Sequence, residues 1–377
     1  MHQLNFDTDA FLRDYWQKKP LLIRNGWGAW HNPLEPDELA GLACEDEVES
    51  RLITHARKAL RAEHGPIPES RFGTLGKTPW TLLVQAVDHH VPEVAALLTP
   101  FRFVPNWRID DVMVSYASDG GGVGPHFDQY DVFLVQGLGR RRWQIGALCD
   151  GDTELLAHDD LRLLAHFEAT DEWILEPGDI LYVPPRIAHN GIAVGDDCMT
   201  YSMGFRAPAR SELIAHFCDD LLSALDDDDR YADPGLSRQA NSGEITAEAL
   251  GRLHAMITQT LGNRDAFARW FGAYTTTPKY PEADWQPESA IAIDDLRARL
   301  ACGETLHRNP ASRFSFVRQG AGAVTLFVDG ESFDCDGALA EFAETLCAQD
   351  RVTVAGQSDV VGLVLKLFNQ GSIGFEA

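Results

Sequence analysis

Between residues 101 and 206 the chain is a succession of short β-branched and aromatic runs broken by Gly and Pro. That pattern restricts the segment to an antiparallel sandwich or barrel. The runs fall at residues 112–116, 131–136, 142–145, 173–175, 179–183 and 200–205. The turn Gly137-Leu138-Gly139 separates the second run from the third, and Glu176-Pro177-Gly178-Asp179 turns the chain into the fifth.

The chain has 377 residues, more than one core holds, so two or three domains are expected. No apolar run approaches the roughly 20 residues that span a bilayer. The first residues lack the basic start and apolar stretch of a signal peptide, which predicts a cytoplasmic protein. Seven scattered cysteines with no Cys-x-x-Cys pair argue against a disulfide framework or a zinc-cysteine site and read as small core residues or surface thiols. A formal net charge of −25 disfavours nucleic acid and suits a basic protein as partner; solubility or salt adaptation gives the same charge.

Residues 9–19 read as a short helix with Asp9 as N-cap and Phe11, Tyr15 and Trp16 on one face. Pro20 ends it, residues 21–24 follow as a strand, and acidic helical segments continue to about residue 62. After Pro208 the pattern becomes helical over 211–225, and the acid run at 226–229 reads as a solvated loop. Leu250, Leu253, Ile257 and Leu261 keep helical spacing within 247–271, and a Pro-containing linker spans 278–287. A helix at 293–302, a strand at 314–318, a hairpin turning at Asp329-Gly330, two helices and a closing strand at 372–375 form a winged-helix-like module. It carries no basic recognition helix, which favours protein contact over DNA contact.

The chemistry is concentrated in Gly120-Gly121-Gly122-Val123-Gly124-Pro125-His126-Phe127-Asp128 and in Pro184-Pro185-Arg186-Ile187-Ala188-His189. On a strand, residues i and i+2 share a face. His126 and Asp128 can therefore reach one metal, with His189 completing the set from another strand. Two histidines and one carboxylate, with open positions left, suit a non-haem Fe(II) oxygenase. A buried, hydrogen-bonded histidine is the plainer alternative for His126 alone. The glycines lack the ending of a phosphate loop, and their small bulk is read as a thin rim that lets a ligand approach. His89, His90, His158 and His166 read as ordinary polar residues. In Arg140-Arg141-Arg142, alternation turns Arg141 away from its neighbours, so it could pair bidentately with a carboxylate; a surface basic cluster at a hairpin is the alternative.

These segments, with Phe11 to Pro20, Gln129 to Phe133, Gly139 to Trp143, Glu176 to Pro185 and Tyr201 to Pro208, resemble the bacterial ribosomal oxygenases, of the JmjC/cupin class of 2-oxoglutarate oxygenases. The resemblance implies a mixed α+β chain: a double-stranded β-helix catalytic domain at 1–208, a helical dimerisation region at 209–280 and a winged-helix-like domain at 288–377. It implies Fe(II) on His126, Asp128 and His189, with 2-oxoglutarate and dioxygen as co-substrates. Arg141, helped by Ser115, would hold the far carboxylate of 2-oxoglutarate. It further implies a homodimer that hydroxylates an arginine at Cβ in large-subunit ribosomal protein L16. Asp111, Tyr130 and Ser202 suit the arginine by analogy; an ion pair of Asp111 with Arg108 is the alternative. Asn190 departs from the acid that the enterobacterial member carries after its third ligand. The rival activities are hydroxylation of a histidine in another ribosomal protein, lysine demethylation, a metal-binding cupin that is not an oxygenase, and a non-catalytic assembly factor.

Overall fold

A computed structural model describes residues 3–56, 59–226, 228–320, 322–354 and 358–375. Asp227 of the acid run lies outside them. The chain divides into two compact units, one reaching to Ala207 with residues 309–311, the other starting at Pro208.

The first unit runs through α1 (Thr8–Asp14), β1 (Leu21–Ile23), α2 (Pro36–Leu42), β2 (Ser50–Ala56), β3 (Ala59–His64), α3 (Glu69–Phe72), β4 (Trp80–Val84) and α4 (Pro92–Ala95). It continues with β5 (Ile109–Ala117), β6 (Asp131–Leu148), β7 (Asp171–Leu175), β8 (Ile180–Val183) and β9 (Ile187–Phe205). Asp7, not Asp9, caps α1: its carboxylate accepts from the Ala10 amide at 2.9 Å. Of the expected acidic helical segments before residue 62, α2 is formed, with Asp37 and Glu38 in its first turn, but from Ser50 onward the chain is the β2–β3 pair instead. Leu52 and Ile53 are both fully buried on opposite faces of β2, so the alternation that marks a half-exposed strand is missing.

All nine strands pair antiparallel, in the order β1-β8-β6-β9-β5-β4-β2-β3, with β7 on the far half of β6. The long strands β6 and β9 carry the architecture. The first half of β6 pairs with β8 and the last half of β9 with β5, while the second half of β6 lies between β7 and the first half of β9. The switch occurs at a register shift between Gln136 and Arg140. Residues 137–139 are thus a bulge inside one strand rather than a hairpin turn. Gly139 takes φ 56°, and a Cβ there would lie 2.6 Å from the Asp197 carbonyl oxygen. The core is aromatic: Phe11, Phe101, Phe133, Tyr182 and Phe205 are fully buried together on one side of this sheet.

The second unit holds α5 (Arg210–Ala224), α6 (Ala247–Leu261), α7 (Arg264–Thr276), α8 (Ile293–Ala301), β10 (Thr305–Arg308), β11 (Phe314–Arg318), β12 (Ala323–Val328) and β13 (Glu331–Asp336). It ends with α9 (Gly337–Ala348), β14 (Arg351–Thr353), α10 (Val361–Asn369) and β15 (Ile373–Phe375). Asp329 and Gly330 both take positive φ, 50° and 85°, as a two-residue hairpin loop requires. α7 packs on this hairpin so closely that a Cβ on Gly272 would fall 2.3 Å from the Phe327 ring. In a small β14-β10-β15 sheet, β15 is the expected closing strand, whereas β10 and β14 were not expected and are too short to show a period. α6 buries no residue: Leu250, Leu253, Ile257 and Leu261 are 41–62% exposed.

Candidate metal centre

Pairing register sorts the candidate residues onto one face of the sheet. Met113, Ser115 and Ala117 of β5 stand opposite Ser202, Thr200 and Cys198 of β9. Leu134 and Gln136 of β6 face Ser202 and Thr200, and Arg141, Trp143 and Ile145 face Ala193, Gly191 and His189. Paired residues in an antiparallel ladder share a face. By the same alternation Asp111 joins Met113 and Ser115. Asp111, Ser115, Arg141, His189 and Ser202 therefore all project from the face opposite the aromatic core.

His126 and Asp128 lie in an extended segment, not a regular strand, tied to β9 by mutual amide–carbonyl bonds between His126 and His189 of 3.0 and 2.8 Å. The i, i+2 geometry still holds. Arg186, at φ 66°, donates its amide to the Asp128 carbonyl at 2.6 Å and fixes the other end. The two rings stand 4.3 Å apart, His189 Nε2 is 3.6 Å from Asp128 Oδ2, and the three donor atoms lie within 4.8 Å of one another. Each Nδ1 sits 2.9 Å from a carbonyl oxygen, that of Gly124 for His126 and of Ile187 for His189. A carbonyl only accepts, so each imidazole carries a proton on Nδ1 and leaves Nε2 as its possible ligand atom. Burial, then the neighbouring His126, pushes His189 down to about 4 against the pull of Asp128, which keeps it neutral. Two imidazoles and a carboxylate converging in this way could hold a divalent metal.

The glycines before His126 do not thin a rim. A Cβ on Gly121 would lie 2.2 Å from the Trp80 carbonyl oxygen, and one on Gly122 would lie 2.3 Å from that of Gly191. They are needed because the segment threads between β4 and β9, two residues short of His189.

Arg141 is 5% exposed, while Arg140 is exposed. Its Nη1 donates to Ser115 Oγ at 3.3 Å and its Nε to Cys198 Sγ at 3.4 Å. Nη2 is buried and has no partner among the described residues. A buried guanidinium with an orphan donor fits an anionic group arriving from outside the chain. The Trp143 ring lies 5.8 Å from the Arg141 guanidinium and 5.9 Å from the His189 ring, bridging the arginine to the metal donors.

Tyr130 is 42% exposed at the edge of this face, close to the Asp128 carboxylate. Burial of its hydroxyl end and the carboxylates of Asp128, Asp111 and Asp110 push its phenol pKa up, so the hydroxyl stays protonated. Asp111 is buried and accepts from Gln85 Nε2 at 2.7 Å and the Ala86 amide at 2.9 Å. Arg108, the suggested ion-pair partner of Asp111, instead meets Asp131 at 3.0 Å. Ser202 is half-buried on β9, and Asn190 donates to Gln144 Oε1 at 3.0 Å.

The JmjC domain family matches residues 96–213 and the ROXA-like winged helix residues 255–374. Over 307 residues the chain is 41% identical to the ribosomal protein uL16 3-hydroxylase of Escherichia coli, with 81% of each chain covered. The chain belongs to the JmjC ribosomal oxygenases. Its fold follows that of Escherichia coli YcfD at a TM-score of 0.91, with 36% identity and full coverage of both chains. Further structures of YcfD, a ribosomal oxygenase, hold cobalt with succinic acid or with 2-oxoglutarate, at a TM-score of 0.88. A more distant similarity, 24% over half of the chain and 31% of the relative, is to the lysine-specific demethylase and histidyl-hydroxylase NO66 of Aedes aegypti. Within this oxygenase, Cys198 and Gln136 border the Arg141 pocket, although the sequence marked neither. No spacing signal could have found them, because their partners are supplied by register across β6 and β9.

Proposed function

We propose that this chain is an Fe(II)- and 2-oxoglutarate-dependent hydroxylase of an arginine Cβ in ribosomal protein L16 (uL16). The observation that carries the reading is the juxtaposition of the His126–Asp128–His189 donors with the orphan guanidinium of Arg141 on one sheet face. His126 and His189 hold the iron through Nε2 and Asp128 through its carboxylate. Arg141, with Ser115 beside it, takes the far carboxylate of 2-oxoglutarate. Iron(II) with 2-oxoglutarate and dioxygen supplies the oxidation that replaces a C–H bond by C–OH, with succinate and carbon dioxide as by-products.

The remaining residues recognise the target. The acid-rich edge at Asp110, Asp111 and Tyr130 suits a guanidinium, which donates and never accepts. Ser202 adds a neutral acceptor. The net charge of −25 favours a basic ribosomal protein over nucleic acid as partner, and a ribosomal-protein substrate supports a cytoplasmic location. The exposed stripe of α6 supports a helical dimerisation region at 209–280 and a homodimer.

The test is 2-oxoglutarate consumption by the iron-loaded chain with a uL16 peptide carrying the arginine. Turnover should rise with that peptide and vanish in His126→Ala. Stimulation by a histidine peptide of another ribosomal protein, with none from the arginine peptide, would defeat the reading.

A further inference from the structure

We infer that Cys198 is a positioning residue for the co-substrate: its sulfur orients the Arg141 guanidinium so that Nη2 is reserved for the far carboxylate of 2-oxoglutarate. This rests on the reading of Arg141 proposed above. A guanidinium offers five N–H donors in one plane, so fixing two of its nitrogens fixes the third. Ser115 Oγ takes Nη1 and Cys198 Sγ takes Nε, and Nη2 remains without a partner. No carboxylate of the described residues pairs with Arg141, so its buried charge awaits an anion from outside.

Cys198 is itself held. It is fully buried, packed with Ala117 and Ala193 as a floor of small side chains beneath the arginine. Gln136 Nε2 reaches the same sulfur at 3.6 Å. That amide is pinned in turn by the carbonyls of Leu138 and Met199 at 2.7 and 3.1 Å, and its Oε1 accepts from Thr200 Oγ1 at 3.1 Å. The sulfur therefore lies between the Gln136 amide and the Arg141 guanidinium. Its bond to Nε is long, as sulfur allows, and the guanidinium carbon lies 5.8 Å from the Trp143 ring.

The experiment is calorimetric titration of the Mn(II)-loaded chain with 2-oxoglutarate and, separately, with pyruvate, which has the 2-oxo acid group but no far carboxylate. Wild type, Cys198→Val, Cys198→Ser and Arg141→Ala are compared after their melting temperatures are taken. Cys198→Val keeps the bulk and removes the acceptor. It should weaken 2-oxoglutarate about five- to tenfold and leave pyruvate unchanged. Cys198→Ser should recover affinity to within about twofold, since it restores an acceptor. If Cys198→Val binds 2-oxoglutarate like wild type while Arg141→Ala does not, the role of Cys198 is refuted and that of Arg141 stands. Equal weakening of both ligands refutes it too, because the loss is then not specific to the far carboxylate. Wild-type affinity in Arg141→Ala would overturn the underlying assignment of the arginine itself.

Discussion

Asp131 shows how single residues hold the candidate site in place. It is fully buried three residues beyond Asp128, and its carboxylate receives Tyr182 Oη at 2.6 Å, Gln17 Nε2 at 2.9 Å and Arg108 Nη2 at 3.0 Å. Removing the carboxylate strands a nearly buried Arg108 charge, so Asp131→Ala should lose about 3–5 kcal/mol in denaturant unfolding. A loss below about 1 kcal/mol would show that the pair is replaceable. The same residue marks the limit of sequence reading. His126, Asp128 and Arg141 were legible because their side-chain chemistry and i, i+2 spacing sit in short contiguous segments. Asp131 and Cys198 were not, because their partners lie 114 and 57 residues away along the chain, at Gln17 and Arg141.

At the scale of elements, the pairing of the glycine-rich segment with β9 aligns His126 beside His189. A methyl group on Gly122 would collide with the Gly191 carbonyl and push the segment outward. Gly122→Ala should therefore weaken Mn(II) binding at least about tenfold, as 1.4 kcal/mol of misalignment would. Unchanged affinity would mean that the segment closes on the metal by itself. The strands were legible as runs, yet their joining was not. Residues 131–136 and 142–145 belong to one 18-residue strand because Gly137 and Gly139 absorb a bulge that reads, in sequence, as a turn. β2 and β3 were missed because charged residues and two-sided burial hide their period.

For the whole molecule, the exposed stripe on α6 is the feature that a lone chain leaves unexplained. Four apolar side chains at helical spacing are left 41–62% exposed on a helix with no buried residue. A homodimer covering that stripe predicts sedimentation at twice the 41.7 kDa chain mass. Leu253→Asp with Ile257→Asp should return it to the single mass. A wild-type chain that sediments as a monomer at micromolar concentration would remove the dimer from the account.

The metal donors, Arg141 and the acidic edge together serve hydroxylation of a ribosomal arginine. This activity is tested most directly by the intact mass of uL16 from cells with and without this gene, followed by fragmentation to locate any change. The account predicts a gain of one oxygen atom on one arginine, present with the wild-type gene and absent with His126→Ala. Identical uL16 masses in the presence and absence of the gene, or an added oxygen on a residue other than arginine, would contradict it.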